Sequence, residues 1–172
     1  MIRKATPKDI DAIEALYNEL FTYEETTKNW SNWQRGIYPT RATAEKTVDL
    51  GTMYVLEETG MICASMILND LQGDFYKEIP WQYPAKDDEV AVIHTLCVSP
   101  SQSGKGYASQ MLTFAKEQAK ERGCKVIRMD TYSGNDPAKA LYQKKGFRIV
   151  GYIDTLLEGL IAEELAMLEI EL

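Results

Sequence analysis

The stretch VSPSQSGKGYASQML, from Val98 to Leu112, puts two glycines and several small residues between an apolar run and a segment of helical periodicity. A bend without bulky side chains at a helix start presents main-chain N–H groups that lack an intrahelical partner, and the helix dipole adds to their pull on an anion. Gly104, Lys105, Gly106, Tyr107, Ala108 and Ser109 would supply those groups. Phosphate suits such a bend, because glycine lets ligand oxygens touch the main chain. Two common phosphate patterns fail on spacing. Lys105 is followed by Gly106 rather than Ser or Thr, so there is no Walker loop. Gly104 and Gly106 begin a dinucleotide fingerprint, but its third glycine position is Ser109. Just upstream lies His94, the only histidine in the chain, and imidazole titrates near neutral pH. Strand alternation sets His94, Leu96 and Val98 on one face and Ile93, Thr95 and Cys97 on the other. Two readings of His94 follow: a proton-transfer group, or a neutral ring hydrogen-bonded in the core.

These residues need elements to hold them. MIRKA reads as a strand, and Thr6-Pro7 as a cap and first turn for a helix with Ile10, Ile13, Leu16, Tyr17 and Leu20 on one stripe. NWSNWQRGIYPT is an aromatic loop, and Ala42 to Leu50 a second short helix closed by Gly51. Strands from Met53 and from Met61 to Leu68 flank a turn at Thr59-Gly60. Asn69 to Asp88 is long and irregular, which inside a compact domain points to function. Val90 to Val98 is a nearly continuous apolar strand, so it should be central and covered on both faces. Gly106 to Arg122 is a helix, Lys125 to Thr131 a strand, Asn135 to Lys145 a helix, and Phe147 to Ile153 a strand. LLEGLIAEELA fits a helix as well as a strand, and Leu168 to Leu172 alternates as a final strand. This order implies a mixed α/β (α+β) fold, a largely antiparallel sheet with a local parallel pair, in one domain over residues 1–172.

The bend together with a second motif resembles the GCN5-related N-acetyltransferases. Val98 and Pro100 match the family's V-x-P lead-in, and Gly106 and Ala108 match the end of its (Arg or Gln)-x-x-Gly-x-(Gly or Ala) motif. Ser103 departs from it, standing where Arg or Gln is usual. Downstream, NDPAKALYQKKGF matches N-x-x-A-x-x-x-Y-x-x-x-G-F at Asn135, Ala138, Tyr142, Gly146 and Phe147. The resemblance implies a seven-stranded sheet with a parallel pair at the coenzyme site and about four flanking helices. It implies acetyl-CoA as the acyl donor, with its diphosphate on the amides from Ser103 to Ser109. The pantetheine arm would lie along the strand edge at Leu96, Cys97 and Val98, near Asn135 and Ala138.

In the family's terms Tyr142 is the general acid for the departing thiolate, against the alternative of a core tyrosine. Asn135 bonds the pantetheine arm, caps its helix, or does both. His94, in an H-x-L-x-V arrangement similar to the family's arylalkylamine members, is a candidate base, with Glu89 acting through water in reserve. Trp30, Trp33 and Tyr38, with Tyr76, Trp81 and Tyr83 of the long loop, are candidates to line an acceptor pocket, since aromatic faces suit a cation. The expected reaction is direct transfer of acetyl to a primary amine of a small molecule. The alternative is a catalytically inactive acyl-CoA-sensing module of the same fold.

Composition narrows the partners. The 172 residues are 45% hydrophobic and 26% charged, with a net charge of −7. That argues against nucleic acid, which demands a basic face, and sits well with a cationic amine. Cys63, Cys97 and Cys124 are odd in number and lack ligand spacing, so reduced thiols and no metal are expected. Without a signal peptide or an apolar run of membrane length, the expectation is a cytoplasmic protein off the membrane. A homodimer is compatible with it, dimers being common in the family.

Overall fold

The computed structural model describes all 172 residues. In chain order they form β1 (Ile2–Lys4), α1 (Ile10–Thr26), α2 (Arg41–Asp49), β2 (Met53–Glu58), β3 (Met61–Asn69), β4 (Val90–Val98), α3 (Tyr107–Glu121), β5 (Val126–Tyr132), α4 (Asp136–Lys144), β6 (Arg148–Leu157) and β7 (Ile161–Glu171). The strands hydrogen-bond in the order β1-β2-β3-β4-β5-β7-β6. β4 and β5 run parallel, from Val90 beside Val126 to Ile93 beside Met129. The pairs β1–β2, β2–β3, β5–β7 and β6–β7 are antiparallel. The mostly antiparallel seven-stranded sheet with one parallel pair and four helices is therefore the fold that forms.

Two compact units make up the chain. The first holds residues 1–29, 33–68 and 94–114. Its core joins Ile13, Leu16, Tyr17 and Phe21 of α1 to Ala44 and Val48 of α2 and to Met53, Val55, Ile67 and Cys97 of the strands. α1 enters through one 3-10 turn, where Asp9 Oδ2 accepts from the Thr6 amide (2.7 Å) and hydroxyl (2.9 Å). That satisfies donors a helix start leaves open. Arg3 then clamps Asp9 with two bonds of 2.8 and 2.9 Å.

The second unit holds residues 30–32, 69–93 and 115–172. Tyr76 and Ile79 of the long loop pack on Val90 and Val92 of β4 and on Leu165 and Met167 of β7. The loop is thus folded down by its own apolar residues. The tail from Leu156 onward is strand, not helix: the β6–β7 ladder continues to Leu157 beside Ile161. Glu158 and Gly159 turn with φ of +50° and +69°. Ladder bonds to a neighbouring strand settle what an isolated apolar-acidic pattern leaves open.

Candidate active site

In the first unit, the second half of β4 leads into the bend. Thr95 has a φ of +51° and is 7% exposed. A β-branched residue there is strained by about 1–3 kcal/mol, a cost tolerated only where surroundings enforce it. Part of that enforcement is a hydrogen bond between the Thr95 and Tyr38 hydroxyls. His94, Leu96 and Val98 are half-buried while Thr95 and Cys97 are buried, so the alternation expected over this stretch is present. Burial pushes the Cys97 thiol far up, with Glu24 and Glu19 adding to it, which keeps the sulfur protonated and unreactive.

The bend is braced from α1. The Glu19 carboxylate accepts from the Ser99 hydroxyl at 2.9 and 2.8 Å and from the Ser101 amide at 2.9 Å. Burial alone would push that carboxyl up, but the bonds from Ser101 and Ser99 prevail and hold it below the usual range. The Ser99 amide donates to Cys63 O (2.9 Å) and the Ser103 amide to Pro100 O (3.2 Å). The first main-chain bond of α3 is Gln110 N to Gly106 O (3.0 Å), so Tyr107, Ala108 and Ser109 lack intrahelical acceptors. Gly104, Lys105 and Gly106 donate no main-chain bond either. Gly104 and Gly106 have φ of +79° and +76°, and a Cβ on either would meet no atom within 4 Å. Glycine is required there by backbone rotation, not by crowding.

Two of the six candidate pocket aromatics meet in this unit. Trp33 and Tyr38 lie edge to face with centroids 5.9 Å apart. Trp33 also walls a cavity of about 290 Å³ shared with Phe21, Glu24, Glu25, Asn29, Gln34 and Arg35. Arg35 is fixed in its wall by Glu25 (3.0 Å) and Asn18 (3.0 Å).

The second unit carries the side-chain chemistry. Asn135 caps α4, its Oδ1 accepting from the Ala138 amide at 3.2 Å. Tyr142 on α4 is 7% exposed. Burial first, then the nearby Asp130 carboxyl, push its phenol well above the ordinary tyrosine value, so it carries its proton at neutral pH. Asp130, on β5, accepts a 2.6 Å bond from the Tyr76 hydroxyl. Burial raises its carboxyl despite that bond. Glu163 of β7 accepts from Asn32 Nδ2 at 3.2 Å and is likewise raised by burial, with Asp130 contributing.

The remaining aromatics serve this unit's packing. Tyr76 is 2% exposed, and Trp81 lies 5.5 Å from it. The Arg128 guanidinium stacks 4.5 Å from the Trp81 ring and donates to Tyr83 O (3.3 Å) and Gln72 Oε1 (2.7 Å). Trp30 is half-buried in the same unit. Glu89, just before β4, is paired with Lys125 at 2.6 Å and accepts from the Lys86 amide at 3.0 Å. Both hold its carboxyl low, which makes it a poor proton acceptor. Glu19, Asp130 and Glu163 escaped sequence reading. An acid inside the apolar strand VIRMDTY was the one available signal.

Residues 10–147 match the model of the acetyltransferase (GNAT) family. The chain belongs to that family. Two curated relatives are similar over shorter stretches. GCN5-related N-acetyltransferase 6, chloroplastic, of Arabidopsis thaliana is 41% identical over 58 residues, 34% of this chain and 20% of that protein. Streptothricin acetyltransferase of Escherichia coli is 39% identical over 64 residues, 37% of each chain. The matched stretches thus span well under half of either relative. A solved structure from Salmonella typhimurium, described with its cofactor acetyl-CoA, has a TM-score of 0.70 at 17% identity, covering 99% of this chain and 92% of that one. No group of His, Cys, Asp and Glu side chains stands ready to hold a metal ion, and no helix is long and apolar enough to cross a membrane.

Proposed function

We propose that this chain is an N-acetyltransferase that moves acetyl from acetyl-CoA to a primary amine of a small molecule, by direct attack with both substrates bound. The observation that carries the reading is the run of main-chain amides from Gly104 to Ser109 without acceptors, at a helix start that follows the V-x-P lead-in. Such donors stabilise a diphosphate without reorganising at the moment of binding. Ser103, in place of Arg or Gln, removes one auxiliary side-chain contact and leaves that run intact.

Attack forms a nitrogen–carbon bond and breaks the carbon–sulfur bond, with the electron pair leaving on sulfur. Tyr142 carries its proton at neutral pH and takes the role of hydrogen-bond and proton donor to that thiolate. Main-chain N–H groups between Leu96 and Val98 polarise the thioester carbonyl. Asn135 keeps its amide nitrogen for the pantetheine arm while its oxygen caps α4. The base is His94, since the bonds from Lys125 and the Lys86 amide leave Glu89 a weak proton acceptor. Trp33 and Tyr38 face the acceptor.

The test is thiol release from acetyl-CoA across a panel of primary amines. Amine-dependent release with a mass gain of one acetyl on the acceptor is expected. Saturable acetyl-CoA binding without amine-dependent release would leave the chain a sensing module instead.

A further inference from the structure

β4 changes character at one residue. Its ladder with β5 runs from Val90 beside Val126 to Ile93 beside Met129 and stops there. Two residues further on, Thr95 turns to a φ of +51°, although the strand continues to Val98. A β-branched residue accepts that conformation only where its surroundings enforce it. The two peptide units that flank Thr95 are thereby rotated out of the regular pleat. One joins it to His94 and the other to Leu96. The kink thus lies between the candidate base and the main chain that would meet the thioester carbonyl.

The Tyr38 hydroxyl bonds to the Thr95 hydroxyl across 57 positions of chain. Tyr38 is itself fixed at two further points. Its amide donates to Gln34 O (3.1 Å), closing a turn in which Gly36 takes a φ of +79°. Its ring stands edge to face with Trp33. A phenol held at both main chain and ring delivers its hydroxyl to one place. Tyr17 supplies the contrast. Its phenol is 2% exposed and feels both Tyr38 and Cys97, yet its hydroxyl bonds to neither Tyr38 nor Thr95.

Resting on the acetyl-transfer reading above, we propose that Tyr38 is a positioning residue for that reaction. Its hydroxyl clamps Thr95 in the left-handed conformation that sets His94 against the main chain of Leu96 to Val98. Tyr38 moves no proton; it acts through Thr95. Without the clamp, Thr95 relaxes towards an ordinary strand conformation and the two flanking peptides rotate with it. Attack on a thioester tolerates little of that, because donors to a developing oxyanion work only when already aimed. The diphosphate cradle from Gly104 to Ser109 does not depend on the clamp, since Glu19 braces the bend before it separately. The clamp therefore bears on turnover and not on coenzyme affinity. Glycine at position 95 would take the same φ at no steric cost and would need no clamp.

The experiment is a double-mutant cycle on Tyr38→Phe and Thr95→Gly, reading kcat and KM separately for an amine that wild type acylates. Tyr38→Phe should lower kcat by about 10- to 100-fold. Thr95→Val, which keeps the shape and loses the hydroxyl, should do the same, and Thr95→Ser should keep kcat near wild type. In the Thr95→Gly background, Tyr38→Phe should cost nothing further, because glycine takes the kink without strain. Tyr17→Phe, the control, should leave kcat as it was. Acetyl-CoA affinity should stay at the wild-type value throughout, and it reports whether each variant is folded. The intraresidue amide-to-Hα NOE of Thr95, strong at positive φ, reads the kink without turnover and should weaken in Tyr38→Phe. An unchanged kcat in Tyr38→Phe, a rise in KM alone, or an equal loss in the glycine background overturns the inference and leaves the acetyltransferase reading standing. Failure of wild type to acylate any amine while binding acetyl-CoA overturns both.

Discussion

The two units solve different problems with different materials. In the first, the candidate donor site is main chain: amides from Gly104 to Ser109, shaped by two glycines at positive φ and braced by Glu19. In the second it is side chain: a buried phenol and two carboxyls whose charged forms the surroundings disfavour. Main-chain sites bind without titrating and cost little stability. Buried acids and phenols do chemistry because they sit in the wrong environment for their charge, and stability is lost to keep them there.

Removing a proton donor should separate the two materials most sharply. Tyr142→Phe should lower kcat by roughly 10²- to 10⁴-fold while acetyl-CoA still binds with near wild-type affinity. Parallel loss of binding and turnover, in a calorimetric and kinetic pair, would mean that Tyr142 serves coenzyme binding rather than proton transfer. Next in size, Gly106→Val forces a β-branched residue to a φ of +76°, at about 1–3 kcal/mol. Acetyl-CoA affinity should drop about tenfold or more, with little change in the acceptor preference of whatever turnover remains.

Stability against pH carries the comparison further, with opposite signs. The Asp130 carboxyl is raised in the folded state, so its destabilising effect is fully present above its folded pKa and vanishes as pH falls below the unfolded value. Asp130→Asn should therefore stabilise the protein at pH 7 by about 1 kcal/mol, about 3 °C in Tm. The Asp9 carboxyl of the first unit is lowered, mainly by the Arg3 hydrogen bond, and against its own burial. Its contribution is present above the unfolded carboxylate pKa and disappears as pH drops through the folded one. Asp9→Asn should cost about 1 kcal/mol at pH 7 and less at pH 3. Thermal melts at the two pH values check both signs.

The same contrast explains what the sequence made legible. Glycine at positive φ, a V-x-P lead-in and an Asn cap are local signals, each readable within a few residues, and they located the bend and α4. The element order followed from periodicity in the same way. Asp130 and Glu163 come to share one face only through the β5–β7 register, and Glu19 reaches Ser99 across eighty positions of chain. No window of sequence contains such pairs. The long loop shows contacts of the same long-range kind. Tyr76, Trp81 and Tyr83 have the composition of a binding surface, yet the first two rings pack together and Arg128 engages the Trp81 ring and the Tyr83 carbonyl. The hairpin of β6 and β7 was ambiguous until a neighbouring strand fixed its period.

The most direct measurement follows the main-chain amides of residues 104–109 by heteronuclear NMR during a titration with CoA. The account predicts that these resonances shift together, saturate at one equivalent, and gain protection against hydrogen exchange. Resonances that stay in place at saturating CoA would contradict it.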